Sequence, residues 1–476
     1  MNISENHIEK LSYIYLLLSL LLFSLTWLNP LFSIICTTAL IIIFYILLKN
    51  HKTDADTINI KKSYLVIIGL ISLLWSFLAG IGGLYYQSSD WHIRNAVFRD
   101  LINFSYPVIY ENGSALVYYI GQMLPAAIVG KICSFIGIIH SYTIANIFNI
   151  TKSCRFWVVI ILILFSGMDI LNTNLPSLFM LHIERHSFYQ YSSNTTLLFW
   201  VYNQTIAVWL IILNLLKNRN DLSKFGLYAT LLLYYSPLPF IGTIFYFLTF
   251  GLVKLIKSIK NANLKPFAKE VFSVTNLLSI LIILPIICSY YKCNDNNIGN
   301  MIGTSIYNME SFHFYFKFII CEAGLLLLLM MYRYYKNILF IIMTLHIFII
   351  PILSIPSAPD FCMRASIPSL FILMIFIIKF LSDAGTKKIL KILVIICLLI
   401  GAITPIFEIG RGIILMKYNF ELPVKDEIIT LNNKITNDSH WELLTEHDYI
   451  RNFGSYKNYG TTTPEKHIFF KYFARH

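Results

Sequence analysis

The chain has 476 residues, of which 57% are hydrophobic and only 13% charged, with a net charge of +12. No water-soluble core of this length hides so many apolar runs near or above about 18 residues, and the strands of an outer-membrane barrel would alternate where these runs do not. The positive charge does not point to nucleic acid, because it is gathered into alternate loops between the runs.

The first run, Leu11 to Leu28, ends at Asn29-Pro30 without a small-residue cleavage site and reads as a retained anchor. Leu31 to Leu48 and Tyr64 to Tyr85 follow as spans, and then QSSDWHIRNAVFRDL, Gln87 to Leu101, interrupts the apolar pattern. Drawn as a helix over Gln87 to Phe104, it places His92, Asn95, Arg99 and Asn103 along one line and Ile93, Val97, Leu101 and Phe104 along another. That pattern predicts an interfacial helix lying flat on the outer leaflet. Asp90 falls at the end of a span beside Trp91, where a carboxylate at membrane depth is a functional candidate; His92 and Arg94 are candidates for substrate contact.

Ser114 to Ile150 reads as one net crossing whose first half dips or lies at the outer surface. Phe156 to Leu171 is the next span, with Asp169 at its outer end. The segment LHIERHSFYQYSSNTTLLFWVYNQ, Leu181 to Gln204, presents His182, Glu184 and His186 at alternate positions, then Gln190, Tyr191, Asn203 and Gln204. An extended backbone would set the three titratable groups on one side as ligands for a divalent cation, with Asp169 as a further candidate, whereas a helix would separate Glu184 from the histidines. The same polar residues suit hydrogen bonding to a sugar or phosphate.

Phe225 to Val253 has basic loops at both ends, so it reads as two short crossings joined by a Pro-broken outer turn at Ser236 to Pro239, bordering the working cavity. Later spans are expected near Phe272 to Tyr290, Tyr315 to Tyr332, Ile338 to Leu353, Ser366 to Leu381 and Ile389 to Phe407. Glu322 and His346 fall within spans and read as a structural pair between helices. In PSAPDFCMRASIPS, Arg364 stands at an outer mouth; its guanidinium can hold phosphate oxygens bidentately or pair with Asp360. The cysteines read as small hydrophobes, with Cys293 and Cys362 in outer loops where a disulfide could form.

The expected architecture is therefore an all-α polytopic membrane protein of about 13 spans (11 to 13). Residues 1–407 form the membrane domain, with outward loops at 87–113 and 174–196, and residues 408–476 an extracytoplasmic tail docked on the outer loops. Inner loops hold about twenty Lys and Arg against about six outside, which puts the amino terminus in the cytoplasm.

An acid in the first outward loop, an amphipathic helix after it, about a dozen spans and an outward tail resemble the GT-C superfamily of membrane glycosyltransferases. The resemblance covers the layout of most of the chain, and its residue-level motif is short. It implies a polyprenyl-phosphate-linked sugar as donor, an extracytoplasmic glycan or lipid as acceptor, and a place in a bacterial plasma membrane. Many members carry two adjacent acids in that loop; here Asp90 is followed by Trp91, leaving a single carboxylate as base.

One base could suffice, because a lipid phosphate leaves without protonation, and the remaining need is positive charge around the departing phosphate. Transfer would invert the anomeric centre. The competing expectations are a lipid-linked glycan transporter or flippase, whose signature would be midplane charges, and a polysaccharide polymerase or ligase, usually built around arginine-rich outer loops.

Overall fold

A computed structural model describes residues 2–49, 57–59, 62–83, 85–88, 90–110, 112–135, 156–171, 183–184, 189–295, 303–304, 309–354, 358–418 and 459–475. The protein is a helical membrane protein. Seven of the described helices are at least 18 residues long and apolar enough to cross a bilayer, and Val66–Leu78, Val159–Leu171, Ile338–Ile352 and Ile367–Ser382 are shorter apolar helices. In chain order the helices are α1 (Glu5–Trp27), α2 (Pro30–Lys49), α3 (Lys62–Leu78), α4 (Trp91–Asn103), α5 (Leu124–Phe135), α6 (Phe156–Leu164) and α7 (Asn194–Lys217). They continue with α8 (Phe225–Tyr235), α9 (Pro237–Lys260), α10 (Lys265–Tyr291), α11 (Ser311–Tyr334), α12 (Ile338–Ile352), α13 (Ala358–Ala365), α14 (Ile367–Ser382) and α15 (Lys388–Lys417).

Burial sorts these helices by position. In α7, 78% of the apolar window is buried, against 28% in α2 and in α9, so α7 runs through the centre and the other two at the edge. The outer helices leave Leu31, Ile34, Val66, Leu70, Leu281 and Ile389 largely exposed, a surface suited to lipid rather than water.

Several elements depart from the expected layout. The helix expected in the first outward loop begins at Trp91, because α3 ends at Leu78 and the chain then turns through Gly80, Gly82 and Gly83, all with positive φ. Along the expected polar line of helix α4, Asn103 is exposed, Arg99 half-buried and Asn95 buried, and Arg94 and Asp100 are buried together with Ile93, Val97 and Leu101. In the first half of Ser114 to Ile150, the chain is non-helical to Met123 apart from a two-residue strand at Ala115–Leu116, α5 follows, and residues 136–150 lie outside the described set.

The Pro-broken turn falls where expected, but the two halves are unequal. Helix α8 has 11 residues, too short to cross, and α9 has 24. Helix α15 continues past Phe407 to Lys417, so the change to soluble composition at Glu408 does not end the apolar bundle. Cys293 and Cys362 are free thiols, both buried, and Cys293 Sγ meets the Ser289 carbonyl.

The described part of the tail returns to the bundle. Gly460–Thr461 pairs antiparallel with Ala115–Leu116, and Asp295 accepts hydrogen bonds from Thr461 Oγ1 (2.9 Å) and Thr462 N (2.8 Å). Its aromatic run then seats Phe469 against Phe23 and Tyr290, and the chain finishes on the turn between α1 and α2 through Asn29 N to Phe473 O (2.8 Å) and Arg475 N to Trp27 O (2.9 Å).

Candidate functional site

Helix α4 is fixed by a defect in α7. At Val201 the backbone leaves helical geometry (φ −139, ψ 38), which releases nearby carbonyls from the helical ladder. A bare carbonyl in an apolar interior is costly, so it recruits donors. Trp91 Nε1 donates to Phe199 O at 2.7 Å, and Arg94 Nη1 donates to Trp200 O. The Trp91 ring stacks on Tyr202 with centroids 4.3 Å apart, and the Arg94 guanidinium lies 5.1 Å from the Trp91 ring centre.

That seating orients Asp90. Its side chain makes no capping bond to α4; instead Oδ2 accepts from Arg94 Nη2 at 2.8 Å, one turn along. The Arg94 side chain is 4% exposed and the Asp90 side chain 18%, so the carboxylate is the end that reaches out of the protein. Arg94 Nε donates to the Tyr118 hydroxyl at 3.3 Å.

A second guanidinium arrives from the far half of the chain. Arg364 ends α13 and pairs with Asp360 at 3.2 Å; its side chain is 9% exposed and that of Asp360 48%. The Arg364 Nε–H is buried and meets no acceptor among the described residues. Helix α13 sits directly on α9 because Gly242 has no side chain: a Cβ there would run into the Ala365 carbonyl.

Arg364 and Arg94 lie within electrostatic reach of each other, with Tyr118 and Tyr119 beside them. The Tyr119 ring lies tilted against that of Tyr118 with centroids 4.3 Å apart, and burial pushes its phenol up to about 12 despite the Arg364 guanidinium. Tyr459, from the returning tail, closes over Tyr118 with ring centroids 4.9 Å apart. Two carboxylates, two guanidinium groups and three phenols thus meet at one corner. Two neighbouring buried cations, one with an N–H that meets no acceptor among the described residues, have the chemistry to receive an anion able to accept several hydrogen bonds.

The remaining candidates divide. Asn203 and Gln204 are buried in α7 just past the kink, and Gln204 Oε1 accepts from Ser236 Oγ (2.9 Å) at the break between α8 and α9. Asn203 Oδ1 and Nδ2 have no hydrogen-bond partner among the described residues. Gln190 and Tyr191 turn inward: Gln190 Nε2 donates to Ser192 Oγ (2.9 Å), and the Tyr191 hydroxyl donates to the Ile347 carbonyl. The side chain of His92, and all of His182 and His186, lie outside the described residues.

Glu184 and Asp169 belong to a different neighbourhood. Glu184 Oε1 accepts from Ser193 N (2.9 Å) and Thr196 Oγ1 (2.6 Å), and Asp169 Oδ2 from Ser166 (3.1 Å) and Thr404 (3.0 Å). Burial, with the Asp169 and Glu408 carboxyls beside it, pushes the Glu184 carboxyl above the usual carboxylate range. Among the described residues no group of three or more His, Cys, Asp or Glu is placed to hold a metal ion.

The expected pairing of Glu322 with His346 does not form. His346 Nδ1 shares a hydrogen bond with Ser369 Oγ (2.6 Å), whereas Glu322 faces Asp169 and Glu184. Glu408, assigned from composition to the tail, is 1% exposed inside α15 and pairs with Arg411 at 2.7 Å. Tyr459 gave no signal in the sequence, because nothing local to it marks a return to the first outward loop. Comparisons with protein families, with curated proteins and with solved structures find no match to this chain.

Proposed function

We propose that this chain is a membrane glycosyltransferase of the GT-C kind, moving a sugar from a polyprenyl-phosphate donor to an extracytoplasmic acceptor with inversion. The observation that carries the reading is that Arg94, the partner of Asp90, lies within electrostatic reach of Arg364 from the opposite half of the chain, whose buried Nε–H meets no acceptor among the described residues. In this reading Asp90 takes the proton of the acceptor hydroxyl as it attacks the anomeric carbon. The bond to the phosphate oxygen breaks, and Arg364 receives the departing lipid phosphate. Arg94 holds Asp90 in place through Oδ2, and Tyr118 fixes Arg94 in turn. The chain crosses the membrane about 13 times with the site outside, which is the side that the basic loops avoid.

The test is transfer of radiolabelled sugar from polyprenyl phosphate in detergent micelles, where no sealed compartment exists. Asp90→Asn keeps size and polarity and is expected to lower transfer by about 10² fold or more. Wild-type turnover in that variant rejects Asp90 as base. A second reading, a cation-coupled transporter of lipid-linked glycans, is favoured by one observation: buried carboxyls gather within the bundle at Asp169, Glu184, Glu322 and Glu408. Absence of transfer across a broad donor and acceptor panel decides for it.

A further inference from the structure

The carboxy-terminal turn is wedged against the ends of two spans. Phe469 stacks on Phe23, about one helical turn inside the end of α1 at Trp27, and Phe473 meets Phe32, in the first turn of α2, edge-on with ring centroids 4.6 Å apart. Both helices are long and apolar enough to cross a bilayer. The π-helical turn Phe469–Phe473 therefore lies at the depth where spans meet the lipid headgroups.

Its backbone is equipped for that depth. Lys471 N donates to His467 O (3.0 Å), Ala474 N donates to Phe469 O (2.9 Å), Tyr472 O accepts from Asn29 Nδ2 (2.7 Å) and Phe473 O accepts from Asn29 N (2.8 Å). Where water is scarce, such groups must be satisfied within the protein.

The side chains of the turn divide by chemistry. Phe469, Phe470 and Ala474 are buried, whereas Ile468 and Tyr472, four residues apart, are 63 and 53% exposed. The start of α2, which the Asn29 and Phe32 contacts place next to them, leaves Leu31 and Ile34 exposed as well. The same stretch carries Lys466, Lys471 and Arg475, all exposed, and among the described residues no carboxylate, Glu465 included, forms a salt bridge with any of them.

We propose that residues 466–475 are a membrane foot: Ile468 and Tyr472 enter the adjacent lipid leaflet, and Lys466, Lys471 and Arg475 hold the phosphates of anionic lipid headgroups. Exposed apolar side chains among unpaired cations at a bilayer edge are the makings of an interfacial lipid-binding segment. The foot is continuous with the segment that covers the candidate site. Asp295 holds Thr461 and Thr462, Gly460–Thr461 pairs with Ala115–Leu116, Val117 N donates to Tyr459 O (2.9 Å), and Tyr459 lies on Tyr118. Tyr290, packed on Phe469, links the two ends, since its hydroxyl meets both Tyr118 N and Tyr118 O at 3.1 Å. Anionic lipid bound at the foot thus opposes detachment of Tyr459 from Tyr118. This surface does not rest on the transferase reading.

The test uses the full chain in nanodiscs of phosphatidylcholine, alone or mixed with phosphatidylglycerol. A nitroxide on Ile468→Cys, read against the unsubstituted chain labelled in parallel, is expected to relax faster with oxygen than with a water-soluble nickel chelate, and one on Glu465→Cys the reverse. A label at position 468 that the chelate relaxes more than oxygen overturns the foot. Hydrogen exchange in peptides covering 115–118 and 459–475 should be several fold slower with phosphatidylglycerol, a difference that shrinks with added salt and vanishes when Lys466→Gln and Lys471→Gln are combined. If that double variant loses protection in phosphatidylcholine too, Arg475→Gln serves, because the fold uses its backbone N–H, and it should reduce the difference by itself. Equal exchange in the two lipids, or a difference that survives these substitutions, overturns anionic lipid as the partner.

Discussion

Arg364 shows how one residue can carry both of the roles its sequence context allows. The Asp360 pair exists, in the favourable order with the acid one turn before the base, but Asp360 is half exposed and such pairs contribute only about 0 to 1 kcal/mol. The buried Nε–H is untouched by it. If that N–H holds a donor phosphate, Arg364→Lys keeps the charge and loses the planar two-pronged geometry, costing about 1.5 to 3 kcal/mol, or roughly 10 to 150 fold in transfer. Asp360→Asn should cost far less. Equal damage from the two, measured as kcat/KM for transfer, would assign Arg364 to the local pair alone. Tyr118→Phe removes one hydrogen bond to Arg94 and retains both ring contacts. It should lower transfer by several fold through a looser Asp90 and leave thermal stability within about 1 kcal/mol.

At the scale of elements, the site depends on two helix contacts. Trp91→Phe removes the N–H that satisfies the Phe199 carbonyl at the α7 kink and leaves an aromatic ring against Tyr202; a buried unpaired carbonyl costs about 1 to 3 kcal/mol, visible as a lower midpoint in detergent melts. Gly242→Ala drives α13 off α9 and moves Arg364 with it, so transfer should fall. Gly251→Ala on the same helix, with nothing within 4 Å, should be neutral or slightly stabilising, since alanine is the better helix former. Helices such as α2 and α9 were legible in the sequence because a span announces itself by composition alone. The burial of α4 was not, because its amphipathic pattern fits water on the polar side as well as it fits Tyr118, Tyr110 and the α7 carbonyls. Asp90 and Arg364 stand out in the sequence as charged residues at span ends, and the structure puts Arg364 within electrostatic reach of Arg94, the partner of Asp90. Glu322 was misread because a lone acid in a span has no local cue to its partner: Asp169 and Glu184 lie far away in sequence, and the π-helical turn that carries it, Ile320–Gly324, leaves no residue signature.

The whole molecule has two chemically different ends. At one end the turn between α1 and α2, Asp295, the 115–118 segment and the returning tail are tied together by the Trp27–Arg475, Asn29–Phe473, Asp295–Thr461 and Ala115–Thr461 contacts, and Tyr459 joins this end to Arg94 and Tyr118. At the other end Glu9 binds Lys217 (3.0 Å) and Lys224 (3.2 Å), and Lys254 binds Glu270. In the proposed orientation the basic end faces the cytoplasm and the opposite end, with the candidate site, faces out, as the positive-inside rule expects. Asn112 and Asn261 are both exposed, the first beside the site and the second at the basic end. In sealed cells a membrane-impermeant maleimide should therefore label a cysteine at position 112 and spare one at 261 until the membrane is opened. The reversed pattern would place Asp90 and Arg364 in the cytoplasm, within reach of nucleotide-linked rather than only lipid-linked donors, and the transferase reading would lose the physical reason for a donor that approaches through the bilayer. Labelling at both positions before opening would mean a leaky preparation, which a cytoplasmic marker protein checks in the same sample.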